Sequence, residues 1–413
     1  MTWAKASPAC AALAAGALVV AGWPGQLVGS VDGASGDAAT VTQCSGGSAI
    51  DFACYRRRYA EMVARDGPRR ALADLVSRRR RSGYVRAACH QLMHVIGRGA
   101  GRLEGIRALD RGDARCSSGY YHGVVEAVAA AIGPQRIGRQ AADICAPYRD
   151  TVPGSLPHYN CVHGMGHGFM EVYKSDVFRS LDGCHALPSG WEEEHCKGGV
   201  FMENLTAMNN PARPSRYLRR EEPLYPCTAV ARRHKASCYI KQTAYPLYLT
   251  NGDFPATFRL CDHTPDVAFR PYCYQGIGGT AVIRANKYVN RSADRTRTIT
   301  SLCRLGRDEA ARRHCVIGAV TTVVKDAATK TTDLGALCAA FRQTELRAVC
   351  SRTAASRSRE FSGSTTAAGD PAFRQGGLEL LCHLSADRKP GISVTSGRSR
   401  LGRRTFEMKG DAP

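Results

Sequence analysis

The chain has 413 residues, 44% of them apolar, which excludes wholesale disorder. Its 57 Lys and Arg residues against 36 Asp and Glu residues give a formal charge of +21, which excludes an acidic protein and favours anionic partners. No apolar run reaches the roughly 18 to 20 residues of a membrane-spanning helix, so a polytopic membrane protein is also excluded.

Residues 1–25 are typical of a signal peptide or an N-terminal anchor. Lys5 is the only charged side chain before Asp32, and an apolar stretch at 9–22 precedes Trp23-Pro24-Gly25. This stretch is short for a membrane span, which favours cleavage or a lipid-side anchor. Residues 26–48 are rich in Gly, Ser, Ala and Thr and are predicted to form a flexible leader. We therefore expect a secreted or extracytoplasmic protein of the cell envelope.

The cysteines after Cys10 fall into pairs that predict a disulfide framework in an oxidising compartment. The predicted pairs, 10 to 16 residues apart, are Cys44–Cys54, Cys145–Cys161, Cys184–Cys196, Cys227–Cys238, Cys261–Cys273, Cys303–Cys315 and Cys338–Cys350. No two cysteines have the C-x-x-C spacing of zinc ribbons or thioredoxin-type sites. A reduced thiol array for soft metals would also need closer spacing. Pairing of Cys89 with Cys116 is the simplest option, whereas Cys382 could pair with a distant cysteine, stay free or link to another chain.

The second cysteines of the pairs, from Cys161 to Cys350, follow one another at intervals of 35, 42, 35, 42 and 35 residues. Such a period predicts an array of two-helix units. A glycine stands three residues after several of these cysteines and predicts close helix packing, at Gly119, Gly164, Gly199, Gly276 and Gly318. Apolar runs at 124–132, 276–283 and 316–324 predict buried helices. The segments 304–314 and 339–349 predict a loop and the first turn of the next helix.

The sequence therefore predicts an all-α fold of disulfide-stapled helical-hairpin repeats, an α-solenoid-like array. We expect the repeat domain to span residues 49–384. Residues 385–413 are rich in Arg, Gly and Ser and predict a disordered basic tail.

Histidines and glutamates recur at helical spacing between residues 89 and 171. They are His90 and His94, then His122 and Glu126, then His163, His167 and Glu171, each four residues from the next in its segment. Residues four apart share one helix face, and imidazole with carboxylate suits zinc, copper, iron or manganese. The five histidines are the predicted metal ligands, and Glu126 and Glu171 are the candidate catalytic groups for proton transfer. Without an H-E-x-x-H motif, a zincin-type protease is not indicated.

Three functional hypotheses remain open from the sequence. The first is a metal-dependent enzyme, and the second is a non-catalytic copper or zinc binding protein. Methionines near the histidines give copper some support, although Met commonly fills packing gaps in a core. The third is a scaffold that binds protein or an anionic envelope polymer, with the histidines and glutamates serving as buried structural groups.

Residues 56–111 contain 15 Arg against 5 acidic residues. This basic region predicts contact with an anionic polymer or a membrane surface, or else a solvated face with no dedicated ligand. A protein partner is a further option, and nucleic acid is disfavoured because no recognised binding motif is present.

Overall fold

The computed structural model describes residue 44 and residues 49–209, 214–289, 291–326 and 333–362. Within these ranges the regular secondary structure is helical throughout, which confirms the all-α prediction. The predicted signal segment, the leader apart from Cys44, the basic tail, Cys10 and Cys382 lie outside the described residues. No described helix combines the length and the apolarity that crossing a membrane requires.

The helices divide into those that pack on one another in sequence and those that connect them. The packed helices are α1 (Ala49–Arg81), α3 (Cys89–Glu104), α4 (Gly119–Ile132), α7 (Leu156–Val172), α9 (Gly190–Thr206), α10 (Arg232–Gln242), α13 (Arg270–Tyr288), α15 (Glu309–Lys325) and α17 (Thr344–Ser362). The connecting helices are α2 (Gly83–Ala87), α5 (Ile137–Ile144), α6 (Ala146–Thr151), α8 (Val177–Cys184), α11 (Ala244–Leu249), α12 (Phe254–Asp262), α14 (Ser292–Cys303) and α16 (Leu334–Ala339). The predicted buried runs lie within α4, α13 and α15.

Eight disulfides lie within the described residues, and they are the pairs predicted from spacing. They join Cys44–Cys54, Cys89–Cys116, Cys145–Cys161, Cys184–Cys196, Cys227–Cys238, Cys261–Cys273, Cys303–Cys315 and Cys338–Cys350. In the later pairs, a cysteine of a short helix is bonded to one inside the next long helix, as Cys303 of α14 is bonded to Cys315 of α15. The disulfide-stapled helical hairpins are thus confirmed, and they indicate an oxidising, extracytoplasmic environment.

Removing one disulfide outside the segment of the predicted metal ligands is expected to lower stability without changing the rest of the fold. The Cys303–Cys315 bond closes a loop with a sequence separation of 12. Chain entropy therefore predicts that Cys303→Ser/Cys315→Ser lowers the free energy of unfolding by about 3 kcal/mol. Urea unfolding followed by circular dichroism measures this difference, and a loss below about 1 kcal/mol would show that the bond does little to restrict the unfolded chain.

The packed helices contact one another in chain order, and the order then returns on itself. α3 packs on α4, α4 on α7, α7 on α9 and so on to α17. In addition, α17 contacts α7, and α2 contacts α13. At the first of these contacts the Tyr159 and Phe361 rings lie 5.2 Å apart, and beside it the indole N–H of Trp191 in α9 donates to Glu360 of α17 at 3.3 Å. The array thus closes on itself, so side chains from distant helices share one interior.

Glycine is required where the packed helices approach most closely. A Cβ atom at Gly199 of α9 would overlap the His163 carbonyl oxygen of α7, and one at Gly123 of α4 would overlap that of His94 in α3. All five glycines predicted from the cysteine spacing are in such tight contact with a neighbouring helix. Helices in near-backbone contact bring short side chains on facing surfaces within a few ångströms of one another.

Candidate metal centre

Five imidazoles and two carboxylates meet where α3, α4, α7 and α9 pack together. They form three overlapping groups, in each of which the candidate ligand atoms lie within 4.8 Å of one another. The groups are His90, His94 and His122; His122, His163 and His167; and His94, Glu126, His167 and Glu203. This spacing is close enough for a metal ion, because metal–nitrogen bonds are about 2 Å long.

Local sequence explains why these side chains converge. The i, i+4 spacing places His90 and His94 on one face of α3, and His163 and His167 on one face of α7. Tight glycine contacts hold these faces against α4, which carries His122. The His122 and His167 rings stack with their centroids 4.3 Å apart.

Four of the five imidazoles are oriented through Nδ1. The backbone carbonyl of Cys116 lies 2.8 Å from Nδ1 of His90, and that of His195 lies 3.1 Å from Nδ1 of His163. A carbonyl oxygen can only accept, so both Nδ1 atoms carry the proton and both Nε2 atoms keep a free lone pair. Such contacts to a carbonyl or a carboxylate are how proteins orient metal-binding histidines.

The carboxylates orient the other two of these histidines. His94 Nδ1 lies 2.8 Å from Oε1 of Glu126, and His167 Nδ1 lies 2.8 Å from Oε2 of Glu203. Arg98 forms an ion pair with the second oxygen of Glu126. Burial raises the pKa of Glu126, but the positive charges of His94 and Arg98 outweigh it and hold that pKa well below its usual range. Glu126 is therefore an ionised acceptor, and His94 donates to it through Nδ1.

Nε2 of His90 and Nε2 of His94 face each other at 3.1 Å. Because both Nδ1 atoms are donors, this contact is favourable when a positively charged His94 donates its Nε2–H to His90, or when a metal ion lies between the two nitrogens. Burial first, and then the charge of His94, lower the pKa of His90 to about 3, so His90 is neutral and is the acceptor in the metal-free contact. Two nitrogens bound tetrahedrally to one zinc ion lie about 3.3 Å apart, close to the observed separation.

Within the centre, two further imidazole nitrogens are buried without a hydrogen-bond partner among the described residues: Nδ1 of His122 and Nε2 of His167. His122 is 1% exposed and His167 is fully buried. An unsatisfied buried polar nitrogen costs about 1 to 3 kcal/mol. Each of these two histidines belongs to a group close enough to share a metal ion, and a metal bond would remove that cost.

The raised pKa of Glu203 indicates that its surroundings favour an added positive charge. Burial and the nearby charge of Glu126 raise its pKa to about 8. A cation held between the Glu126 and Glu203 carboxylates would lower this pKa and allow both to be ionised.

The structure brings six of the seven predicted site residues into these groups. The exception is Glu171, which lies one turn beyond His167 in α7 and belongs to none of the three groups. Three methionines near the histidines, Met93, Met165 and Met170, are packed in the core. Met202 differs, because its sulfur lies 3.4 Å from Nε2 of His163.

Sequence reasoning missed Glu203 and Arg98. Glu203 is on the face of α9 that meets α7, but four residues before it stands Gly199 and not a histidine, so it lacks the His/Glu spacing of the other segments. A search of whole helix faces, at offsets of three, four and seven residues from the glycine, would include Glu203. Arg98 simply continues the four-residue series of His90 and His94.

The metal-free protein is expected to lose stability as the pH falls below about 6.5. Burial, followed by neighbouring like charges, lowers the pKa values of His90, His122, His163 and His167 in the folded state. The unfolded chain therefore takes up protons first, so this stability is present above pH 6.5 and is lost as the pH falls towards the folded-state values. Each histidine contributes up to about 1.4 kcal/mol per pH unit.

Urea unfolding of chelator-treated protein between pH 7.5 and 5 measures this slope. His122→Phe removes one titrating group and keeps a buried ring of similar shape, so its slope is expected to be shallower. Equal slopes for His122→Phe and wild type would contradict the assignment of His122 as a neutral buried imidazole.

No protein-family model matches the chain, and no curated protein or solved structure matches it significantly. The fold and the site alone therefore define the class: an all-helical, disulfide-stapled protein whose buried His and Glu groups are positioned closely enough to hold a metal.

Proposed function

We propose that this chain is a secreted or cell-envelope metalloprotein that holds metal ions between α3, α4, α7 and α9. The observation that carries the proposal is the convergence of five imidazoles and two carboxylates into three overlapping groups, in each of which the candidate ligand atoms lie within 4.8 Å of one another. A metal ion accounts for this convergence, and it would also give a partner to the buried nitrogens of His122 and His167.

His90, His94 and His122 form the first proposed metal position. His122 is shared with the second group, in which Nε2 of His163 and Nε2 of His167 are the available donors. Glu126 and Glu203 orient His94 and His167 and balance the charge of the bound ions. Imidazole with nearby carboxylate suits zinc, copper, iron or manganese.

A metal-dependent enzyme fits this centre best. Three protein nitrogens at the first position leave a fourth place for water or substrate, as in catalytic rather than structural zinc sites. In such an enzyme Glu126 keeps His94 in the tautomer that binds metal through Nε2. Glu203, with its raised pKa, could exchange a proton near neutral pH.

A non-catalytic copper carrier is the second candidate, and one contact favours it. The Met202 sulfur lies 3.4 Å from Nε2 of His163, and thioether with imidazole suits Cu(I). The carrier predicts that Met202→Leu weakens copper binding and leaves zinc binding unchanged. The enzyme predicts that neither metal depends on Met202.

Metal content tests the proposal directly. Oxidised protein from an exporting host, without a His tag, is compared by mass spectrometry with His122→Ala/His167→Ala and with His263→Ala. His263 is an exposed histidine beside α12, outside all three groups.

We expect at least one equivalent of metal in wild type and His263→Ala, and loss of that metal in the double variant with its helical circular dichroism preserved. No metal in wild type after incubation with zinc, copper and iron would reject the proposal. An equal metal content in all three proteins would show that the ion binds outside the proposed centre.

A further inference from the structure

Two lysines from distant helices approach the same imidazole of the centre. A Cβ atom at Gly198 would lie 3.4 Å from His163 Nδ1 and 3.8 Å from Lys241 Cε, so this lysine of α10 passes beside His163. Lys325, at the end of α15, places its Nζ 4.5 Å from the Tyr159 ring centroid. The Tyr159 ring in turn stacks on His163, with a centroid distance of 5.4 Å.

Neither ammonium forms an ion pair among the described residues, and Lys325 Nζ lies 4.5 Å from the Tyr159 ring centroid and 5.3 Å from that of Phe361. Among the described residues, Lys241 and Lys325 take part in no ion pair and no hydrogen bond, although both are half-buried. Other interior lysines do find partners, as Lys197 does with Glu193. An unpaired charge in the interior is costly, and proteins ordinarily neutralise it with a partner or a ligand.

The surrounding charge is also predominantly positive. Burial lowers the pKa of Lys241 to about 8, and burial with the charge of Lys241 lowers that of Lys325 to about 7. Burial and the charge of Arg295 lower the pKa of the nearby Arg79. Three carboxylates act on these lysines: Asp326, whose own pKa burial raises to about 7, and Glu360 and Glu194, which favour the charged form of Lys325. Glu360 already pairs with Arg357 and Glu194 with Lys197, so neither of these carboxylates is an ion-pair partner of Lys241 or Lys325.

We propose that Lys241 and Lys325 bind a small oxyanion, a phosphate or a carboxylate, in the interior beside His163. The two ammoniums come from helices that the closure of the array brings together, and a small oxyanion between them would gain charge-assisted hydrogen bonds. It would also return both lysines to full protonation, since a nearby opposite charge favours the charged form.

The role of this anion depends on the proposed metal centre. The anion and the metal ion would share His163, because Lys241 passes beside this ring and His163 is a proposed metal ligand. An anion that also contacts the ion would be either a substrate of the metal-dependent reaction or a co-ligand that completes the coordination of the ion. The binding of the anion to the lysines does not itself depend on metal.

Isothermal titration calorimetry with inorganic phosphate and with oxalate at pH 6.5 tests the proposal. Both probes are titrated into wild type, Lys241→Met/Lys325→Met and Lys174→Met, each in metal-free and metal-loaded form. Methionine keeps the length of the apolar stem, so the double variant is expected to fold with unchanged or higher thermal stability. Lys174 is an exposed lysine after α7 and serves as the charge-matched control.

We expect at least one of the two anions to bind wild type and Lys174→Met equally, and to bind the double variant at least about tenfold more weakly. Binding of phosphate alone or oxalate alone identifies the class of ligand. Failure of both anions to bind wild type, or equal binding by the double variant, would overturn the proposal and leave Asp326 as the internal counter-ion of the lysines.

The metal-free arm separates this proposal from the previous one. Lysine-dependent anion binding without any metal uptake would reject the metal centre and retain the anion site. Metal uptake without anion binding would retain the metal centre and reject the anion site. Tighter anion binding in the metal-loaded wild type than in the metal-free protein would show that the two sites are in contact.

Discussion

Glu126→Gln is expected to weaken metal binding by about 10- to 100-fold. The Glu126 carboxylate is 2% exposed and accepts from His94 on one oxygen and from Arg98 on the other. Glutamine keeps the shape but removes the charge that fixes the Nδ1–H tautomer of His94. Removal of such an orienting carboxylate typically costs this much affinity.

The same substitution is expected to lower the free energy of unfolding of the metal-free protein by about 3 kcal/mol. It leaves Arg98 without its buried partner, which ordinarily costs about 3 to 5 kcal/mol. The low end applies because the Arg98 side chain is 35% exposed and can be hydrated.

Glu171→Gln is the matched control for Glu126→Gln. Glu171 stands ten residues after Cys161, as Glu126 stands ten residues after Cys116, but Glu171 lies outside all three ligand groups. Competition of wild type and both variants against a zinc chelator gives the three affinities. Equal affinities for Glu126→Gln and wild type would show that Glu126 does not support the site. If only Glu171→Gln bound zinc more weakly, the ligand groups seen in the structure would not be the ones that bind zinc.

Gly199→Ala is expected to impair both the fold and the metal centre. The added Cβ would overlap the His163 carbonyl oxygen, so α7 and α9 must separate. Overpacking of this kind costs about 1 to 3 kcal/mol. Separation also moves His163 and His167 relative to Glu203, and metal–ligand distances tolerate only about 0.2 Å. We expect the affinity for metal to fall at least about tenfold.

Gly318→Ala separates the two effects. Its Cβ would overlap the Gln275 carbonyl oxygen at the contact of α15 with α13, away from the histidines. We expect a similar loss of stability in urea unfolding with an unchanged affinity for metal. If Gly199→Ala bound metal as tightly as Gly318→Ala, the close approach of α7 and α9 would not be what assembles the site.

Much of the local structure could be predicted because its signals are short in range. Cysteines 10 to 16 residues apart must lie close in space in a helical hairpin, and a glycine at a fixed offset marks where the next helix touches. The four-residue spacing of His90 and His94 specifies a shared face in the same way. These features depend on helix geometry alone.

The remainder depends on contacts between residues far apart in sequence. Trp191 meets Glu360 across 169 residues, and Lys241 meets the surroundings of Lys325 only because the array closes. Neither pairing has a local periodic signal. Glu203 falls between these cases, since its helix face was predictable but its partner, His167, depends on how α9 packs against α7.

The most direct test of the metal centre is an anomalous difference map from a crystal of the oxidised protein soaked with zinc, collected at the zinc absorption edge. We predict a peak about 2.0 to 2.1 Å from both Nε2 of His90 and Nε2 of His94, with His122 as a third ligand. A fully occupied zinc elsewhere on the molecule, with no peak between these two nitrogens, would contradict the account.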